Sequence, residues 1–162
     1  MIPLIRLLEP YFKIAEQEAK KSPCLRRKYG AVIAYEGNDI AHEVAHNIRI
    51  GKCCEDNICA RDRFKIRHGG NIEIGGELHA EIAGLIRNGY RTADNVHFLL
   101  AGFDRHGIAL YDHQLYPCHA CALAIKYAGW KHIYLRHESG EIFPKSIAEI
   151  IIEREEEWES DT

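Results

Sequence analysis

An α/β layered domain, with helices packed on a mostly parallel sheet after an opening hairpin, is what the sequence predicts. Three observations carry that expectation. Strand-like and helical runs alternate along the chain, two strand-like runs near its start flank a cluster of turn formers, and 162 residues of which 46% are hydrophobic can bury one sizeable core. One domain over residues 1–162 follows, because no internal repeat and no low-complexity linker divides the chain.

From Tyr11 to Lys21 the residues Tyr11, Phe12, Ile14, Ala15 and Ala19 fall at helical spacing, and Ser22-Pro23 supplies a stop. Tyr29–Tyr35 and Ile40–Ala45 read as the two arms of a hairpin around Glu36-Gly37-Asn38-Asp39. Between Asn47 and Gly76 periodicity fades, while cysteines, basic residues and glycines accumulate, the composition of a functional loop. Leu78–Ile86 reads as a helix that follows Gly75-Gly76 and stops near Asn88-Gly89. Val96–Ala101 reads as a buried strand, followed by a turn at Asp104–Gly107 and a weaker extended run to Tyr116. Pro117 opens a helix over Cys118–Tyr127 that ends at Gly129, and His132–Leu135 follows as a short strand. The last helix begins near Ser146, with Glu149 at capping-box spacing and Ile147, Ile150, Ile151 and Trp158 along one side.

The formal net charge is −3 with both signs interspersed, so the strongly basic face that duplex binding needs is lacking and polymeric nucleic acid is not the expected partner. No apolar run approaches the roughly 18 residues of a membrane helix, and the first residues lack the pattern of a signal peptide. A cytoplasmic protein without membrane partners is therefore expected. Six cysteines in a reducing compartment point to metal binding or catalysis before disulfides.

Cys118 and Cys121 stand three apart at the start of a helix, where their sulfurs share one side of the first turn and the helix dipole favours thiolates. Alone, this pair fits a thiol–disulfide redox centre as well as a metal site. His79 and Glu81 shift the balance. Two apart on a regular helix they would face away from one another, so they serve one site only if the helix begins there. One imidazole and two thiolates then give zinc three ligands, the number found where a fourth position is kept for water. Glu81 remains free to move protons. A redox module would leave His79 and Glu81 without a role, and a binding or structural zinc domain would need no Glu81.

His79-Ala80-Glu81 with Pro117-Cys118-His119-Ala120-Cys121 matches the H-x-E and P-C-x-x-C signature of zinc deaminases. The stretches Tyr11–Glu16, Ser22–Ile33 and Ala128-Gly129-Trp130-Lys131 also resemble the corresponding segments of deoxycytidylate deaminases, so the resemblance spans about Tyr11 to Tyr134. It implies a three-layer α/β/α cytidine deaminase-like domain with a mixed central sheet of about five strands opened by a hairpin. It implies hydrolytic deamination of a cytosine nucleotide, dCMP to dUMP, with cytidine, guanine or another small aminated base as the nearest rival substrates. An editing enzyme acting on tRNA or single-stranded DNA is further off, since it would want a cationic channel and stacking aromatics.

By the same resemblance Glu81 is the proton-transfer group and the Ala80 N–H holds the pyrimidine carbonyl. Asn47 contacts the sugar, although the family's Tyr-Asn-Gly stands here as His46-Asn47-Ile48. Cys24, Cys54 and Cys59 match positions that help hold a second, structural zinc in many deoxycytidylate deaminases, with Cys53 spare. No His or Cys lies just before His79, which leaves His68 as the nearest fourth ligand. A homo-oligomer is also implied. Arg26, Arg27 and Lys28, or Arg61, Arg63, Lys65 and Arg67, are candidates to meet a 5′-phosphate. His42, His97, His106, His113 and His119 are expected to be structural or surface residues. The segment from Arg105 to Leu115 is longer than the family pattern suggests.

Overall fold

The computed structural model describes residues 3–36, 42–49, 54–55, 58–66, 77–88 and 95–160. Its centre is a five-stranded sheet built from β1 (Arg27–Tyr35), β2 (His42–His46), β7 (Val96–Asp104), β8 (His132–Arg136) and β9 (Ile142–Ser146), in the order β2-β1-β7-β8-β9. The hairpin of β1 and β2 is antiparallel with Val32 opposite Val44. Its turn, and the expected strand residues Ile40 and Ala41, lie outside the described residues.

The sheet is mixed and five-stranded, as the resemblance implies, and not the mostly parallel one that the alternation of elements alone suggests. Only β7 and β8 run parallel, while β1–β2, β1–β7 and β8–β9 are antiparallel. Two features account for it: β1 runs against both β2 and β7, and β9, which contains Pro144 and gave no strand signal, returns against β8. Proline cannot donate to a ladder, but β9 sits at the sheet edge, where that is tolerated.

Alternation along the strands sends side chains to two faces and so makes three layers. Ala31, Ile33, Phe98, Leu100, Ile133 and Leu135 form one core with buried residues of α3 (Ala80–Asn88), α4 (His119–Tyr127) and α5 (Ile147–Ser160). Val32, Ala34, Leu99 and Ala101 pack on the opposite face against α1 (Leu4–Ala19). That helix begins seven residues before the expected Tyr11 and runs through Pro10. A proline inside a helix costs about 3 kcal/mol. Full burial of Leu8 and Phe12, on either side of it, is worth about 1.5–3 kcal/mol each and offsets that cost.

α1 lies directly on the backbone of β1, because a Cβ on Gly30 would stand 2.0 Å from the Ala15 carbonyl oxygen and 2.5 Å from the Ala19 nitrogen. Neither backbone atom can move without displacing the helix. Gly30→Ala is therefore expected to destabilise the fold by about 3 kcal/mol, the upper end for overpacking, read as a lowered urea midpoint. An unchanged midpoint would show that this packing is looser than described.

Short pairs lead the chain to the site end of the sheet: β3 (Ile48–Arg49) with β6 (Glu77–Leu78), and β4 (Cys54–Glu55) with β5 (Ile58–Cys59), followed by one helical turn, α2 (Ala60–Arg63). The segment from Arg105 to Leu115 folds back along β7. Leu110 N–H donates to the Gly102 carbonyl at 2.9 Å, Phe103 bridges Ala109, and a 3-10 turn spans Asp112–Leu115. Leu110 and Leu115 enter the core, so the segment closes the end of the helical layer. Among the described residues no helix is long and apolar enough to cross a membrane.

Candidate metal centre and its cleft

Two helix starts converge at one end of the sheet. His79 stands between β6 and α3, just outside the helix, and Glu81 lies in its first turn. The condition set by the two-residue spacing is thus met, because His79 is free of the helical periodicity. Cys118 precedes α4 in extended conformation and Cys121 lies in that helix's first turn. His79 Nδ1 lies 3.6 Å from the Cys118 sulfur and 3.3 Å from the Cys121 sulfur. The three ligand atoms all lie within 4.8 Å of one another.

The cluster is buried and electrostatically unusual. Hydrogen bonding from the Cys121 thiol, helped by His79 and opposed by burial, brings Cys118 down to about 4. The same pairing, with burial, pushes Cys121 well up. The Cys118 partner holds His79 up at about 9 against burial. Burial pushes Glu81 up to about 7, although the neighbouring imidazolium opposes the shift. Negative charge here is stable only beside positive charge, which a divalent cation supplies more strongly than a protonated imidazole. Two sulfurs and one imidazole nitrogen are donors zinc accepts, and three protein ligands leave a fourth position open.

The centre lies in a partly open cleft lined by Cys24, Arg26, Arg27, Tyr29, Asn47, Arg61, Glu77, His79, Glu81, Tyr116 and Cys118. Of the seven cations considered for phosphate, three line this cleft: Arg26, Arg27 and Arg61. Arg26 donates to the Ile66 carbonyl at 2.9 Å and lies 3.5 Å from Asp62, while Arg27 donates to the Tyr29 hydroxyl at 3.3 Å. Arg63 and Lys65 are exposed away from it, Lys28 does not line it, and Arg67 lies outside the described residues.

Asn47 is buried and its amide is fully engaged. Its oxygen accepts from Tyr29 N–H at 2.8 Å, and its nitrogen donates to the Arg27 carbonyl at 2.9 Å and to Glu77. Ile48, where the family has glycine, starts β3 and pairs with Leu78, a setting that suits a β-branched residue. Ala80 is the first residue of α3, so its N–H has no partner within the helix.

Of the other cysteines, Cys24 lines the cleft. Cys24 and Cys59 are buried, and the Cys24 sulfur lies 3.8 Å from a Glu77 oxygen. Burial, then the Glu77 carboxylate, pushes Cys24 up to about 11, and Cys59 is near enough to add to the shift. Cys54 pairs with Cys59 in the β4–β5 ladder, while Cys53 and His68 lie outside the described residues. Glu77 is the residue the sequence reading missed. It stands two residues before His79, and a carboxylate, like His or Cys, is a zinc donor.

The five histidines set aside stay out of the centre. His106 and His113 are exposed, His97 packs edge-on to Tyr134, and His42 does so to Tyr11. His119 faces α5, 3.1 Å from Glu155 and 4.5 Å, ring to ring, from Trp158.

Fold and site together define an α/β/α domain with a His-Cys-Cys centre at two converging helix starts. Solved structures identify that fold as cytidine deaminase-like. The apo dCMP deaminase of cyanophage S-TIM5 is similar at TM-score 0.53 and 24% identity, over 95% of this chain and 94% of that one. Cytidine deaminase from Burkholderia pseudomallei is similar at TM-score 0.53 and 16% identity, over 86% and 91% of the two chains. A single-substitution mutant of the Mycobacterium tuberculosis cytidine deaminase is similar at TM-score 0.50 and 18% identity, over 86% and 89%. No protein-family model and no curated protein matches the sequence.

Proposed function

We propose that this protein is a zinc-dependent deaminase of a cytosine nucleotide, converting dCMP and water to dUMP and ammonia. The observation that carries the reading is the buried Glu81 beside the His79-Cys118-Cys121 cluster, at the base of a cleft with three arginines in its wall. His79, Cys118 and Cys121 would hold the metal. A bound zinc ion would supply a water acidified from a pKa of 15.7 to about 7. Glu81, poised near neutrality, accepts a proton from the attacking water and places it on the ring nitrogen, which makes C4 electrophilic. After the C4–O bond has formed, Glu81 takes the second proton from the new C4 hydroxyl and delivers it to the amine, so that the C4–N bond breaks, ammonia leaves and the C4 carbonyl forms. The Ala80 N–H would hold the pyrimidine carbonyl, and Asn47, whose amide hydrogens are taken by Arg27 and Glu77, would meet the sugar only through the second lone pair of its amide oxygen.

A 5′-phosphate fits the arginine-lined wall, where charge-assisted bonds are worth about 1.5–3 kcal/mol each. Removing Arg26 or Arg61 by substitution with Ala is accordingly expected to lower kcat/KM for dCMP by about 10- to 100-fold. Turnover of deoxycytidine, which lacks the phosphate, changes little. Equal losses on both substrates would remove phosphate recognition from this wall.

The deciding experiment is ammonia release from dCMP, dCTP, deoxycytidine, cytidine, guanine and AMP in parallel, with zinc counted in the same preparation. Selective turnover of dCMP supports the proposal. Selective turnover of another compound moves the substrate, and release from none of them refutes the deaminase reading. The zinc count also tests a second, structural site at Cys24 and Cys59, to which Cys54, His68 and the adjacent Glu77 are the further candidate ligands. Two equivalents per chain support that site, and one refutes it. The protein is further proposed to be a homo-oligomer, a reading supported by Ile86, Leu123 and Tyr127, exposed on α3 and α4, and checked by light scattering.

A further inference from the structure

Cys118 meets His79 and Cys121 through its sulfur, 3.6 Å from His79 Nδ1, but its backbone enters the site from an irregular segment. It precedes α4 without a side-chain capping bond, and the chain before it is Tyr116-Pro117, which lies in no strand and where Pro117 has no N–H to anchor it. The anchor comes from α5. Arg154, 8% exposed, donates from Nε to the Pro117 carbonyl at 3.1 Å and from Nη2 to the Tyr116 carbonyl at 2.8 Å. Its remaining nitrogen, Nη1, lies 3.2 and 3.1 Å from the two Glu157 oxygens. Glu157 in turn reaches His113 Nε2 at 2.6 Å, at the start of the same loop. One guanidinium thus ties the two residues before Cys118 to the terminal helix, and its own orientation is held by a carboxylate.

We infer that Arg154 is a positioning residue for the metal centre: it fixes the Tyr116 and Pro117 carbonyls and thereby sets where the Cys118 sulfur stands. The inference rests on the reading that His79, Cys118 and Cys121 hold zinc. The physical requirement is specific to arginine. A planar fork can serve two successive carbonyls and a carboxylate together, whereas a lysine ammonium, with the same charge, has no fixed geometry to do so. Tyr116 lines the cleft, so the same bonds hold one wall of the binding site in register with the metal.

The test compares wild type, Arg154→Lys and Glu157→Gln. Zinc affinity is measured by chelator competition, the visible absorption of the cobalt-substituted protein reports ligand geometry, and thermal unfolding is followed on zinc-free protein. Arg154→Lys is expected to weaken zinc by about 10- to 100-fold, the usual effect of losing a partner that orients a ligand, and to alter the cobalt spectrum. The zinc-free unfolding temperature should change little. Glu157→Gln should act in the same direction and less strongly. If Arg154→Lys does not fold, Glu157→Gln decides alone. Wild-type affinity and an unaltered spectrum in every folded variant would overturn the inference, whatever happens to thermal stability. A wild-type protein that takes up no zinc would instead overturn the metal reading, and this inference with it.

Discussion

Replacing Glu81 by alanine is expected to abolish deamination while leaving zinc bound at wild-type stoichiometry. Glu81 is within two residues of a metal ligand yet is not one of the three clustered donors. Its carboxyl is 5% exposed and pushed up to about 7 by burial, so both protonation states are accessible near neutral pH. General acid–base catalysis contributes about 10²- to 10⁴-fold, and a group that carries protons both to the ring and to the leaving amine should sit at the upper end. Turnover is expected to fall by roughly 10³-fold or more. Ammonia release and metal analysis on the same sample are the measurements. Retained turnover would remove Glu81 from the mechanism, whereas loss of zinc together with activity would give it a structural role instead.

Cys121→Ala is the second large effect, and it separates metal chemistry from thiol chemistry. Cys121 is 2% exposed in the first turn of α4, 3.3 Å from the His79 nitrogen, so alanine there removes a ligand without disturbing a solvated surface. The variant is expected to lose its catalytic zinc and all measurable turnover. Chelation of the wild type should reproduce that loss, and added zinc should restore only the wild type. A variant that still held catalytic zinc and turned over substrate would show that the two thiols serve something other than the metal.

Much of the site was legible because its chemistry depends on short spacings. Two cysteines three apart at a helix start, and a histidine two before a glutamate where a helix begins, are local patterns that a short stretch of sequence can show. The structure brings His79, Cys118 and Cys121 together across 39 and 42 residues of chain. Glu77 was not legible, because a carboxylate two residues before His79 gains meaning only when β3–β6 pairing sets it against Asn47 and Cys24. Arg154 was likewise invisible. Its partners are backbone carbonyls nearly forty residues away, and a carbonyl leaves no mark on the sequence.

The elements divide in the same way. Local signals were enough to mark the hairpin, β7, α4 and α5: apolar runs, turn formers at Glu36–Asp39, and Pro117 and Gly129 at the ends of α4 are properties of each segment taken alone. They did not reveal β9, the reach of α1 through Pro10, or the direction in which the strands run. Those depend on neighbours: an edge position that tolerates Pro144, a sheet face that rewards Leu8 and Phe12, and a return strand that makes β8–β9 antiparallel. By itself, the sequence determined the layered fold and marked the His79, Cys118 and Cys121 cluster that the structure brings together, since both are written in residue types at local spacing. The tertiary structure decided strand direction, which of seven cations face the cleft, and what holds Cys118 in place, since each of these is a contact between distant segments that only the packed chain brings together.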